Sequence, residues 1–405
     1  MSFPTGLGFE PDLSDPYLAQ DPYLAKAAGL RDIFARDAVE RDKAGGRPSE
    51  QIRLLKESGL LKLLIPREHG GHGEPWSTAL RIVREFAKVD GSLGHLYGYH
   101  FGSVHAAHLL GDPDQAAALY RRSAESNWFW GNARNSFSKT LFGRREGEWV
   151  TVNGFKPFTS GSHVADALMI AWLDEASHEW TFAAVPADRP GIIVENDWDA
   201  IGQRQTGSGR VTFADLKIHA DEVLDHGFDR GRPYRTLGVL QQQSVLLNVF
   251  IGSAQGALLA ARDYTVTTSQ PWLHSGVERH TDDPWVQRTY GDLVLRTQAA
   301  TLLADKALAA IDAAFARGRD LTEAERGEAA VTVAAANAHA GAVALDVTST
   351  VFEVMGARAS AAAYGFDRFW RNVRTHTLHN PAEYKIRNVG TWFLTGAYPQ
   401  PSNFQ

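Results

Sequence analysis

The order in which sequence texture changes restricts this chain more than any single motif does. A helical stretch comes first, then short apolar runs with no helix between them, then long helices toward the C-terminus. From Tyr23 to about Ser126, apolar residues recur at helical spacing, as in Ile52, Leu54, Leu55, Leu60 and Leu61, and again in Leu80, Val83, Phe86 and Ala87. Ser49 after Pro48 marks a helix start and Gly59 an interruption or end. Residues 66–73 carry a Pro and three Gly and must be a loop. From about Asn127 to Val239 the runs 149–152, 167–172, 180–185, 191–194 and 211–213 read as strands. The Asn153-Gly154 dipeptide after the first of them signals a hairpin turn. Strands so spaced predict a small antiparallel barrel or sandwich. Beyond Leu240 the periodicity predicts helices over 244–268, 285–317 closed by Gly318, and 322–355, with a shorter one after Pro381. Thr322 and Glu325 stand at capping-box spacing. The Ala-rich run 329–344 permits close approach of a neighbouring helix, and long helices joined by short loops form a bundle. The predicted class is α+β in three parts: an N-terminal helical domain over 1–126, a central β domain over 127–239 and a C-terminal bundle over 240–405. At 405 residues the chain exceeds what one core usually organises.

Composition removes several functions. A net charge of −6, with Arg and acidic residues interspersed, does not make a phosphate-binding face, so no nucleic-acid partner is expected. With no cysteine, there is no disulfide, thiolate metal site or Cys nucleophile. Residues 1–22 lack the basic-then-apolar pattern of a signal peptide, and no run approaches about 18 uninterrupted apolar residues. The expectation is no membrane association and a cytoplasmic location. Residues 202–209 are Gly-rich but do not end as a phosphate loop does, and no dinucleotide fingerprint occurs. The pairs His69/His72 and His376/His379 have no carboxylate signature beside them, so no metal is expected. No Gly-x-Ser-x-Gly elbow presents a Ser nucleophile.

Several local motifs resemble the acyl-CoA dehydrogenase superfamily. Pro66-Arg67-Glu68-His69-Gly70-Gly71 is similar to its Pro-x-x-x-Gly-Gly loop, and residues 153–160 to the hairpin leading into its flavin-contacting strand. Residues 91–100, 130–133, 197–206 and above all 364–379 resemble the flavin monooxygenase branch represented by the dibenzothiophene monooxygenases of bacterial desulfurisation. Dehydrogenases of this fold carry a Glu base near the C-terminus, commonly before Gly; the corresponding stretch here carries His379. A carboxylate is the base that α-proton removal from a thioester calls for. The resemblance therefore implies FMN, supplied as FMNH2 by a separate NAD(P)H:flavin reductase, with O2 as co-substrate and a C4a-hydroperoxyflavin as oxidant. The implied substrate is a small aromatic or organosulfur compound. An N-hydroxylase and an acyl-CoA dehydrogenase are the alternatives on the same fold. A homotetramer is implied as well.

By the same resemblance, His379 and His95 are the candidate catalytic histidines, with His376 on the same face as His379 if that segment is helical. A histidine suits proton donation near neutrality. Asn132 and Ser160 are expected to contact the flavin and take part in catalysis, since each presents a hydrogen-bond donor. Tyr99 and Trp198, with His95, are expected to line the substrate pocket, where aromatic walls suit a flat apolar ligand. Arg358 resembles a flavin-phosphate contact, fitting the forked guanidinium. Arg204, Gln205 and Thr206 are expected at the flavin-facing edge of the β domain. Residues 265–272 lack the Arg that relatives use to reach FMN phosphate from a neighbouring subunit, which leaves FAD open. His274, Arg279 and His280 are possible substitutes.

Overall fold

The structure is a computed structural model describing residues 14–15, 17–224 and 231–402. The first part holds α1 (Pro22–Ala35), α2 (Ala38–Ala44), α3 (Ser49–Ser58), α4 (Trp76–Ala87), α5 (Gly91–Val104), α6 (Ala106–Leu110) and α7 (Pro113–Glu125). All fourteen residues of α5 are buried, so it is the axis of this part. Asp90 caps it by accepting the backbone N–H groups of Ser92 and Leu93, and Arg41 clamps that carboxylate at 2.5 Å. Gly98 lets α5 touch its neighbour: a Cβ there would lie 2.4 Å from Val245 Cγ1.

The middle part is one seven-stranded sheet made of β1 (Trp130–Ala133), β2 (Leu141–Glu146), β3 (Trp149–Lys156), β4 (Ala167–Asp174), β5 (Trp180–Pro186), β6 (Ile192–Val194) and β7 (Val211–His219). It is mixed rather than wholly antiparallel. One edge of β4 pairs with β5 along its length, while the other is shared by β1 and β2, both parallel to it. Parallel neighbours need a crossover, and here strands β2 and β3 and the turn Ser162–Val164 lie in it instead of a long helix.

Asn153-Gly154 is not a turn. The chain continues through it as β3, and the β2–β3 hairpin reverses earlier, at Gly147, whose φ is +62°. The dipeptide is a β-bulge opposite β7, and its left-handed partner Asp215 exchanges two hydrogen bonds with the Asn153 side chain.

Beyond the sheet come α8 (Leu237–Thr267), α9 (Pro284–Arg317), α10 (Glu323–Met355), α11 (Asp367–Thr377) and α12 (Ala382–Thr395). Thr322 and Glu325 form the expected capping box on α10, and α9 closes at Gly318. The Ala-rich face of α10 lies against α8, which also packs on α4, α5 and α9. Stretches 233–267 and 323–355 are long and apolar enough to cross a membrane, but 89% and 67% of their apolar windows are buried inside the fold. They are core helices here. The short α11 is an element that the sequence reading does not delimit. Its buried residues Phe369, Asn372, Val373 and His376 follow the i, i+3, i+4, i+7 rule.

Candidate active site

The site is organised by three rings in a stack. On α5 the positions 95 and 99 share one helix face. His95 lies 4.0 Å from Tyr99 and 4.5 Å from His376 of α11, centroid to centroid, with planes within about 23° of parallel. Among the described residues, neither ring nitrogen of His95 has a hydrogen-bond partner, and neither do Tyr99 Oη and His376 Nδ1. Burial pushes the His95 pKa down to about 3, with His379 adding to the shift. Burial also lowers His376 well below its ordinary value, helped by His95 and His379, and raises the Tyr99 hydroxyl. At neutral pH the stack is therefore uncharged.

His100, one turn along, is a useful contrast. It accepts the Trp130 N–H at Nδ1 and donates from Nε2 to the Leu61 carbonyl, so both nitrogens are spent on holding β1 and the chain after α3. It is a strut, while His95 is not.

His379 follows α11 and opens onto a cavity of about 390 Å³ lined also by Lys385, Tyr384, Phe137 and Leu240. His379 is itself exposed, and its pKa is lowered from the ordinary value by desolvation from the surrounding chain first and then by the Lys385 ammonium, while Asn380 works the other way. Burial brings Lys385 itself down to about 8, against a smaller opposing pull from Glu383. The pair thus divides labour: a neutral imidazole beside an ammonium poised near physiological pH.

The sheet supplies the opposite wall. Asn132 lies on β1, its backbone N–H donating to the Ser160 carbonyl at 3.1 Å, and its side-chain nitrogen is buried without a partner. Gly131 permits this approach, since a Cβ would stand 2.9 Å from Ser162 N. Ser160 is held from behind by a relay of hydroxyls: Ser160 to Ser208 at 2.7 Å, and Ser208 to Thr206 at 2.7 Å. Phe158, with φ +58°, is turned outward and 62% exposed, and its ring meets Trp198 edge-on at 6.2 Å.

Three expectations need correction. Arg204 and Gln205 do not offer their side chains to a flavin-facing edge: Arg204 donates to the Lys43 carbonyl, and Gln205 is held between Arg41 and the Gly45 carbonyl. Thr206 sits behind Ser160, where it orients a hydroxyl chain. Trp198 belongs with Phe158 and donates to the Gln203 carbonyl; no contact joins it to Tyr99 among the described residues.

Arg358 is exposed beyond the end of α10 and has no contact with the histidine stack. Nearby, His280 bonds the Val354 carbonyl and Ser269 the Met355 carbonyl. Arg279 is already committed to Asp282, and His274 is exposed.

Sequence reasoning missed Phe158, Ser208, Asn372 and Lys385. Asn372 accepts the Gln203 N–H at 2.6 Å and so fastens the Trp198 loop to the histidine helix. Its place four residues before His376 on a buried face was the available signal. Phe158 lies inside the 153–160 motif, but the motif did not single it out, because its outward turn rests on a left-handed backbone.

An FMN isoalloxazine fits what these residues leave unfilled. Unpartnered buried donors at Asn132 and Tyr99, a braced Ser160 hydroxyl and an outward aromatic pair at Phe158 and Trp198 suit a flat ring rimmed with acceptors.

The comparisons agree with this geometry. The acyl-CoA dehydrogenase N-terminal domain matches residues 29–126, and the acyl-CoA dehydrogenase C-terminal domain matches residues 245–383. The chain is 41% identical over 401 residues to dibenzothiophene monooxygenase of Rhodococcus erythropolis, covering 94% of this chain and 95% of that protein. It is 39% identical to the probable FMNH2-dependent monooxygenase SfnC of Pseudomonas putida over 94% of this chain and 97% of that one. Among solved structures, methanesulfinate monooxygenase MsuC of Pseudomonas fluorescens superposes with TM-score 0.93 at 38% identity, covering 95% of this chain and all (100%) of that one. FMN-bound TdsC of Paenibacillus sp. A11-2 gives 0.91 at 36% over the same shares, 95% and 100%. With both terminal domains matching and a 41% identical relative covered over 95% of its length, the chain belongs to the acyl-CoA dehydrogenase family.

Proposed function

We propose that this chain is an FMNH2-dependent monooxygenase that transfers one atom of O2 to an organosulfur or aromatic substrate. The balance is substrate plus O2 plus FMNH2 giving oxygenated substrate, FMN and water. The observation that carries it is the neutral His95–His376 stack. Among the described residues, no carboxylate bonds to His95, His376, Tyr99 or Asn132, and the stretch where the resemblance expects a thioester dehydrogenase's Glu carries His379 instead. FMN supplies the oxygen-activating chemistry when bound. Asn132 and Ser160 hold the edge of its ring, with Phe158 and Trp198 as the aromatic wall beside it. His95 and Tyr99 confine the substrate and exclude water, since the unpartnered atoms they present are buried. His379 offers a ring N–H toward the cavity, and Lys385 holds the proton that restores it. Arg358, exposed outside its own cleft, serves the phosphate end of a flavin across a subunit contact. The apolar residues left exposed on α9 (Trp285, Leu295, Leu302) and α12 (Phe393, Leu394) support a homotetramer. We also infer that the reduced flavin comes from a separate NAD(P)H:flavin reductase in the cytoplasm.

The test supplies FMNH2 from such a reductase and follows O2 uptake and product formation with thiophene and indole substrates. Substrate-dependent oxygenation is expected, and His379→Ala should lower kcat by about 10²–10⁴-fold while FMN binding stays within a few fold. Anaerobic bleaching of bound flavin by an acyl-CoA, with no oxygenation, would refute the reading.

A further inference from the structure

A cation stands beside Tyr99 with no described carboxylate paired to it. Arg134 follows β1 directly, and its Nε is buried without a partner. Its one hydrogen bond among the described contacts is long, 3.4 Å from Nη2 to the Gly102 carbonyl. No described Asp or Glu lies within ion-pair distance of it. The ionisable neighbour that bears on it is Tyr99, whose hydroxyl burial keeps protonated. Burial brings the guanidinium down to about 10, so it remains charged at neutral pH.

The surroundings are built for the same ligand chemistry. Tyr99 Oη and Gln241 Nε2 are buried and unpartnered, and each can donate; Gln241 Nε2 and Arg134 Nη2 meet at Gly102, where a Cβ would lie 3.5 and 3.8 Å from them. Arg134 also lines a cavity of about 730 Å³ walled by Leu109, Trp180, Phe182 and Val239, with Arg235 and Glu179 among its polar residues. That cavity and the one holding His379 share Ser402, and the adjacent pairs Ser136/Phe137 and Val239/Leu240 divide between them, so the two lie back to back. A buried cation left without a counter-charge is costly unless a ligand brings one. A forked guanidinium beside neutral donors matches an oxyanion.

We propose that the substrate of this chain is an aromatic organic acid whose carboxylate or sulfonate docks on Arg134. Positions 95 and 102 of α5 are two turns apart, a rise of about 10 Å. The acidic group and the atom to be oxygenated are therefore different parts of the substrate, separated by roughly the span of a fused ring. The histidine end of the cleft meets the sulfur or ring carbon, and the Arg134 end meets the charge. This deepens the monooxygenase reading and rests on it for the chemistry, but the anion site itself stands on binding.

The experiment uses a matched pair, benzothiophene-5-carboxylate, whose acid lies across the fused ring from sulfur, and its methyl ester, titrated into FMN-loaded protein by calorimetry and then assayed with FMNH2 and O2. The acid is expected to bind at least tenfold more tightly than the ester. Arg134→Gln should erase that preference through the acid alone, and Arg134→Lys should restore part of it, which a merely structural role would not do. Equal binding of acid and ester by the unaltered protein, or an unchanged preference in Arg134→Gln, overturns the proposal. A preference for methanesulfinate over the aromatic acid also overturns it, because a compact anion cannot span the two ends. An intact acid preference without oxygenation of either compound leaves the anion site standing and removes the monooxygenase reading.

Discussion

Interior histidines normally spend both nitrogens, as His100 does on Trp130 and Leu61. His95 spends neither, although it is only 4% exposed. Stacking between two rings holds it in place without consuming its polar atoms, which is how a site keeps hydrogen-bonding capacity for a ligand. The Lys385–His379 pair is governed by the opposite circumstance, a charge brought close on purpose. Burial holds Lys385 near 8, so its ammonium is lost as the pH rises through that value. With Lys385 as the proton reservoir, kcat should fall above about pH 8, while Lys385→Arg, which keeps the charge but cannot release a proton in this range, should lower kcat at every pH and lose that limb. A kcat–pH profile from 6 to 10 checks this, and an identical alkaline limb in the two proteins would remove Lys385 from the proton path.

At the scale of elements, glycine placement separates contact from convenience. Gly98 of α5 lies against Val245, and Gly98→Ala should destabilise the protein by about 1–3 kcal/mol through overpacking. Gly291 on α9 has nothing within 4 Å of its would-be Cβ, and Gly291→Ala should stabilise by roughly 0.5–1 kcal/mol. Urea midpoints for the two variants should move in opposite directions. The elements legible in the sequence were those specified locally: Thr322 with Glu325 starts α10, Gly318 closes α9, and the alternating runs become β4, β5 and β7. Asn153-Gly154 misled because its meaning is non-local; Asp215, 62 residues away, turns a hairpin signal into a bulge. The site divided in the same way. His95, Tyr99 and His376 come together as the motifs implied, whereas Arg204 and Gln205 are drawn aside by N-terminal helices that nothing near residue 204 announces.

For the molecule as a whole, so many neutral buried histidines make acid the natural denaturant. His95 and His100 titrate near 3 and 4 when folded, below the ordinary value of 6.5 they regain on unfolding. Above about pH 6.5 both are neutral in either state and cost nothing. As the pH falls below that, the unfolded chain takes up protons that the folded one refuses. Each histidine then removes about 1.4 kcal/mol per pH unit until its folded value is reached. Urea midpoints should therefore drop steeply between pH 7 and pH 5, and a flat profile would contradict the burial of uncharged rings. One further feature ties the three sequence textures together. Asn372 clasps Gln203 from the middle part, would crowd any Cβ added at Gly91 of the first, and sits one turn ahead of His376 in the last. The indole side of the cleft and its imidazole side are consequently stitched together at neighbouring positions of one helix, Asn372 to Gln203 and Arg371 to the Ile201 carbonyl.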